Sequence, residues 1–164
     1  MKKGILAIAV VLVVVAMAGS AMAATDTAGF TVTATAAKSC SISGATDVVF
    51  ATAYDPTSGT DNDSGSGTAT FRCTKNTAWN ANITGTRSMT GATNGDTLNF
   101  ELYTTAGRTT AFPAVAGATV SGTAGSKNTD ITVNYFGRIL NGQDVSAPDN
   151  YSTAVGGMVF TVNY

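Results

Sequence analysis

Histidine is absent from all 164 residues, and with it go the commonest general base and the commonest metal ligand among side chains. Ser–His and Cys–His nucleophilic pairs are excluded on the same ground. Glutamate occurs once, as Glu101, at a polar position of an alternating stretch. Most of the aspartates (Asp55, Asp61, Asp63, Asp96, Asp130, Asp144, Asp149) fall in turn-like sequence, where a short carboxylate bonds the nearby backbone. The sequence therefore predicts no catalytic residue and no enzyme. Charge is scarce as well, at 12% of residues. No basic patch is present to neutralise phosphates, so nucleic acid is not an expected partner. No stretch repeats its apolar residues at helical spacing. No glycine-rich loop joins a strand to a helix as a phosphate cradle requires, so the glycines read as turn residues and no cofactor is expected.

Two local features invite a sharper reading. Asp61-Asn62-Asp63-Ser64-Gly65, with Asp55 nearby, partly resembles a calcium loop. Such a loop needs a glutamate at its twelfth position and an oxygen ligand at its fifth. Counted from Asp61, these positions hold Arg72 and Gly65. A solvated surface loop accounts for the aspartates, and no metal site is expected. The single tryptophan, Trp79, could stack on a sugar, but a lone Trp among strands is more often packing.

What is present begins with export. Lys2 and Lys3 precede an uncharged Val- and Ala-rich stretch, and Ala21-Met22-Ala23 is a small-x-small cleavage site. Residues 1–23 thus read as a secretory signal peptide, leaving 141 residues (164 − 23) from Ala24 onward. That length suits one domain. A retained membrane anchor is the competing reading, but the second half of the stretch is Ala, Gly and Ser rather than Leu or Ile. In an oxidising compartment the two cysteines, Cys40 and Cys73, are expected to pair. Closing a loop of that length would stabilise the fold by about 4 kcal/mol in the chain-entropy model.

The remaining pattern is period two. Phe30, Val32, Ala34 and Ala36 alternate with Thr31, Thr33 and Thr35, one apolar and one polar face. Further strand signals lie at Cys40–Ile42, Val48–Phe50, Thr68–Thr74 and Trp79–Thr84. Leu98, Phe100 and Leu102 alternate with polar neighbours, as do Ile131, Val133 and Tyr135, and then Met158, Phe160, Val162 and Tyr164. Tyr54–Gly67, rich in Asp, Ser, Gly and Pro, reads as a long loop. About seven short strands with turn punctuation predict an all-β sandwich over 38–164, preceded by an arm at 24–37.

These pieces, in this order, resemble the spore coat protein U family, which includes pilins of the archaic chaperone–usher pathway. The carriers are the arm Phe30–Ala36 leading to Cys40, Phe71-Arg72-Cys73-Thr74, Leu98–Tyr103, Tyr135-Phe136-Gly137-Arg138-Ile139, Tyr151 and the closing Phe160-Thr161-Val162-Asn163-Tyr164. The chain departs from the family's habit at Ala51, Thr153 and Val155-Gly156-Gly157. The resemblance implies an immunoglobulin-like sandwich lacking its last strand. A periplasmic chaperone would fill the gap first, and at an outer-membrane usher the arm of another subunit would replace it. Phe30, Val32, Ala34 and Ala36 would then be the inserted donor-strand residues, at a contact between copies of this chain or related pilins. Strand addition of this kind draws affinity from the backbone and specificity from alternating side chains. The competing expectation for the arm is a first strand of its own sandwich. For the whole protein, the alternatives to a fimbrial shaft subunit are a spore or cell-coat protein and a secreted binding module or adhesin.

Overall fold

The computed structural model describes residues 25–154 and 156–164; the segment read as a signal peptide lies outside them. The described residues are all-β. Residues 25–39 carry no strand and are exposed throughout, and contacts group Ala36–Tyr164 into one compact unit. Strands follow as β1 (Cys40–Ala45), β2 (Val49–Phe50), β3 (Asn62–Cys73), β4 (Ala78–Gly85), β5 (Ser88–Gly91) and β6 (Thr97–Asn99). The rest are β7 (Glu101–Tyr103), β8 (Ser121–Thr123), β9 (Ile131–Ile139), β10 (Tyr151–Ser152) and β11 (Met158–Asn163).

Three antiparallel sheets result. One has the order β1-β3-β9-β7, with β2 pairing the other end of β3; the others are β11-β4-β8 and β10-β5-β6. β3 and β9 form the centre of the largest sheet, paired from Asn62↔Ile139 to Phe71↔Ile131. Alternation decides which way their side chains face. Gly65, Gly67, Ala69, Phe71 and Cys73 of β3 are buried, and so are Val133, Tyr135, Gly137 and Ile139 of β9. The β11-β4-β8 sheet meets this inner face at Phe71, whose ring lies 5.0 Å from that of Trp79 and 6.2 Å from that of Phe160. Leu98, Phe100, Leu102 and Phe112 complete the same core. Trp79 therefore packs against the core edge-on to Phe71.

The Tyr54–Gly67 stretch, read from composition as a loop, is a strand from Asn62 onward. Ser and Gly at these positions answer to close neighbours rather than to a turn. A side chain at Gly67 would meet the Tyr135 ring at 2.3 Å, and one at Gly65 would meet Phe50 at 2.7 Å. Gly137, the register partner of Gly65, also lies under the Phe50 ring. The alternating stretch Leu98–Tyr103 is likewise two strands, β6 pairing β5 and β7 pairing β9. Phe100 lies between them and remains buried, so one apolar alternation serves two sheets.

Polar groups staple the outer faces. Arg138 donates to both carboxylate oxygens of Asp63, at 2.6 and 2.8 Å, and lies over the Tyr103 ring. Arg108 bonds the Gly137 and Asp63 carbonyls. Asp96 accepts from the Ser146 amide and hydroxyl. The hydrogen bond from Arg138 holds the Asp63 carboxyl below its usual range, and the Ser146 hydroxyl does the same for Asp96. A carboxylate whose folded value is lowered favours folding above its unfolded value and loses that contribution as pH falls through the folded one. The domain should therefore keep its denaturation midpoint from neutral pH down to about 5 and lose it progressively below about 4. A urea midpoint measured across that range checks this; a flat profile would show that these pairs contribute nothing.

The glycine contacts give a second expectation. Gly67→Ala should cost about 1–3 kcal/mol through overpacking against Tyr135. Gly59→Ala, with nothing within 4 Å of the added carbon, should stay within about 0.5 kcal/mol. Equal midpoints for the two variants would contradict the close packing of β3 on Tyr135.

Candidate functional site: a groove between two strand edges

Residues directly opposite each other in an antiparallel pair share a face, so their burial should match. Along two edges it does not. Ile42 of β1 sits opposite Phe71, yet Phe71 is fully buried while Ile42 is 44% exposed. On β11, Phe160 and Val162 sit opposite the buried Ile83 and Ala81 and are themselves only half-buried. The cause is topological. β1 and β2 have β3 as their neighbour on one side only, and β11 has only β4. Inward-facing side chains on these strands therefore lack the lateral cover that the next strand would supply.

The two uncovered edges enclose a groove of about 600 Å³. One wall is the Ala45–Val48 segment with Phe50, and the other is Met158 and Phe160 with Gly156 and Gly157. Ile83, Met89, Phe100, Leu102 and Tyr135 form its floor. Each wall is held from behind. The Tyr135 hydroxyl donates to the Thr46 carbonyl, which fixes the chain where β1 gives way to β2. Burial in this apolar setting pushes the Tyr135 phenol above its usual value. Phe50 rests on the glycine pair of β3 and β9. At the far end, Tyr151 donates to the Ser146 carbonyl, and Asp149 accepts from the Thr93 and Asn94 amides, fixing the approach to Ser152–Ala154. The groove has an apolar floor and mixed walls that include Thr46, Asp47, Ser152 and Thr153. What it can do is take up an extended segment with one apolar face.

The expected pair Cys40 and Cys73 is a disulfide, joining the first residue of β1 to the last of β3. Phe30 and Val32 are 87% and 80% exposed, and Ala34 and Ala36 are exposed as well. None of the four belongs to a strand of the described chain. The aspartates once weighed as calcium ligands have local partners: Asp55 accepts from Thr57, Asp61 from the Asn141 amide, and Asp63 from Arg138. Among the described residues no three carboxylate or thiol side chains cluster as a metal site would need. The family resemblance implied a gap of this kind, but no residue pattern located it. Its walls come from β1, β2 and β11, and its floor from several other strands, so no local pattern assembles it. The one available signal was the alternation of Met158, Phe160 and Val162, which gives a strand but not the neighbour it lacks.

An open edge has a measurable consequence. Phe71→Ala should cost about 3–5 kcal/mol. Ile42→Ala, opposite it but uncovered, should cost less than about 1 kcal/mol in the isolated subunit. Chemical denaturation of the two variants distinguishes them, and a core-sized loss at Ile42 would mean that the β1 edge is closed.

Comparison with known proteins agrees with this geometry. A family model described as Spore Coat Protein U domain matches residues 26–157. No curated protein matches the chain. The matched family is one of structural pilus and coat proteins rather than of enzymes. With well over half of its residues matched, this chain belongs to the Spore Coat Protein U domain family.

Proposed function

We propose that the protein is a fimbrial subunit that polymerises by donor-strand exchange: the arm of one copy, Phe30–Ala36, fills the groove of another. The observation that carries this reading is the coincidence of an uncovered apolar groove and an exposed apolar alternation in one chain. The groove lacks a strand's worth of cover along β1 and β11, and Phe30 and Val32 are exposed. No charged residue stands between Asp26 and Lys38, so the arm could enter an apolar groove without burying a charge. Lengths agree as well. Seven residues from Phe30 to Ala36 span about 23 Å as a strand, against about 20 Å for the six residues of β11.

Burying Phe30 and Val32 would contribute about 1.5–3 kcal/mol each, and backbone bonds to the two edges would add to that. Thr31, Thr33 and Thr35 would face outward. Because each arm enters a different molecule, the contact does not close on itself and generates a filament. Before assembly, an exported subunit with this groove open would be an aggregation hazard. That hazard supports a periplasmic chaperone as first occupant and an outer-membrane usher as the place of exchange. Cell-surface fimbriae are then the destination.

The test is a gel of protein sheared from the cell surface, run unboiled and boiled, for the wild type and for Phe30→Asp/Val32→Asp. A heat-sensitive ladder in the wild type is expected, and the variant should lose it while keeping a soluble chaperone complex. A ladder unchanged in the variant would overturn the assignment of the donor residues. A single monomer band in the wild type would favour a coat or self-contained secreted protein.

A further inference from the structure

In such a filament every subunit is pulled at the end of its arm, and the arm enters the domain at Cys40, the first residue of β1. That strand is also a wall of the groove that grips the neighbouring copy. Tension therefore arrives on an element whose displacement would loosen the grip. The ladder holding β1 to β3 is short, running from Cys40↔Cys73 to Ala45↔Ala69, and a register shift between Ile42 and Gly44 interrupts it. Net contributions of single hydrogen bonds are about 1 kcal/mol, and bonds loaded from one end of a strand open in succession. A strand so placed would peel.

The disulfide lies at the first rung of this ladder. We propose that Cys40–Cys73 is a load-transfer clamp, an inference that rests on the donor-strand reading: it passes tension from the subunit's own arm directly to β3, so that this tension cannot peel β1 from its arm end. β3 is suited to receive the load. It is the central strand, bound to β1 and β2 on one side and to β9 along most of its length on the other. Beyond Cys73 the chain stays anchored as well, since the Asn76 amide donates to the Ala124 carbonyl and the Ala124 amide donates to the Thr77 carbonyl. Ile42 of β1, with Val48 and Phe50 beyond it, lies inside the covalent loop, so tension entering at Cys40 reaches β3 without first passing along them. A disulfide placed elsewhere would stabilise folding as well by chain entropy, but one at the arm's entry blocks the first step of peeling, the opening of the Cys40↔Cys73 rung.

The experiment stretches single assembled fibres, first as isolated and then after reduction in place with a phosphine. Fibres of a Cys40→Ser/Cys73→Ser variant serve as a second sample. At rest, reduced and oxidised fibres should be alike. Under load, the reduced fibre should lengthen by up to about 110 Å per yielding subunit, the reach of the 33-residue separation at ~3.3 Å each, and should then part at lower force. The oxidised fibre should part without that lengthening. Equal rupture force and equal extension in the two states would overturn the clamp while leaving strand exchange intact. A wild type that forms no fibres would overturn the donor-strand reading, and the clamp with it.

Discussion

The constraint on which the structure turns is an unpaired sheet edge facing an apolar core. Every inward side chain in a sandwich depends on lateral neighbours for cover, and β1 and β11 each have one neighbour where two are needed. The partial exposure of Ile42, Phe160 and Val162, each opposite a buried partner, follows from that single fact. The groove lies between the ends of these two edges, at Ala45 and at Met158 with Phe160, and the connecting segments Thr46–Val48 and Gly156–Gly157 complete its walls. The remaining features make the edges persist while uncovered. Tyr135 bonds the Thr46 carbonyl from within the core, and Phe50 is seated on two facing glycines.

Strand composition explains how much of this could be read from the residues alone. Where one face is apolar and the other polar, as in Ile131–Ile139 and Met158–Asn163, alternation was sufficient to place the strand. The first half of β3 escaped because its inward positions are Gly65 and Gly67, and glycine in a strand carries no hydrophobic signal. The reason for glycine there lies far along the chain, in the rings of Phe50 and Tyr135. Short strands such as β8 and β10 escaped for the opposite reason. Two or three residues cannot show a period, and tertiary pairing decides them. The disulfide was legible because a lone pair of cysteines has only one way to pair within the chain. The groove was legible only through the family resemblance, since an absent neighbour leaves no residue to read.

Family membership and geometry contribute different things. The Spore Coat Protein U match sets the class, a surface- or coat-associated structural protein. It does not choose between coat and fimbria. The argument for polymerisation comes from the chain itself, in which an exposed apolar alternation and an uncovered apolar groove coexist. Either alone would be unremarked, since a single exposed apolar residue is ordinary on protein surfaces. Together they are complementary in length, and the arm itself carries no charge between Asp26 and Lys38.

Complementarity of this sort raises the question of why the chain does not simply satisfy itself. The arm runs directly into β1, and β1 forms one wall of the groove. To fold back beside β1, residues 30–36 would have to reverse direction within Ala37, Lys38 and Ser39. These three carry neither glycine nor proline, the residues that most readily make so tight a turn. Cys40 is held to Cys73, and Thr74 donates to the Ser39 carbonyl, so the exit direction of the arm is fixed from the domain side as well. A stiff exit with no turn residues disfavours self-insertion and leaves a second molecule as the better-placed occupant. The uncharged arm, the missing turn and the disulfide at its root therefore all weigh against self-insertion.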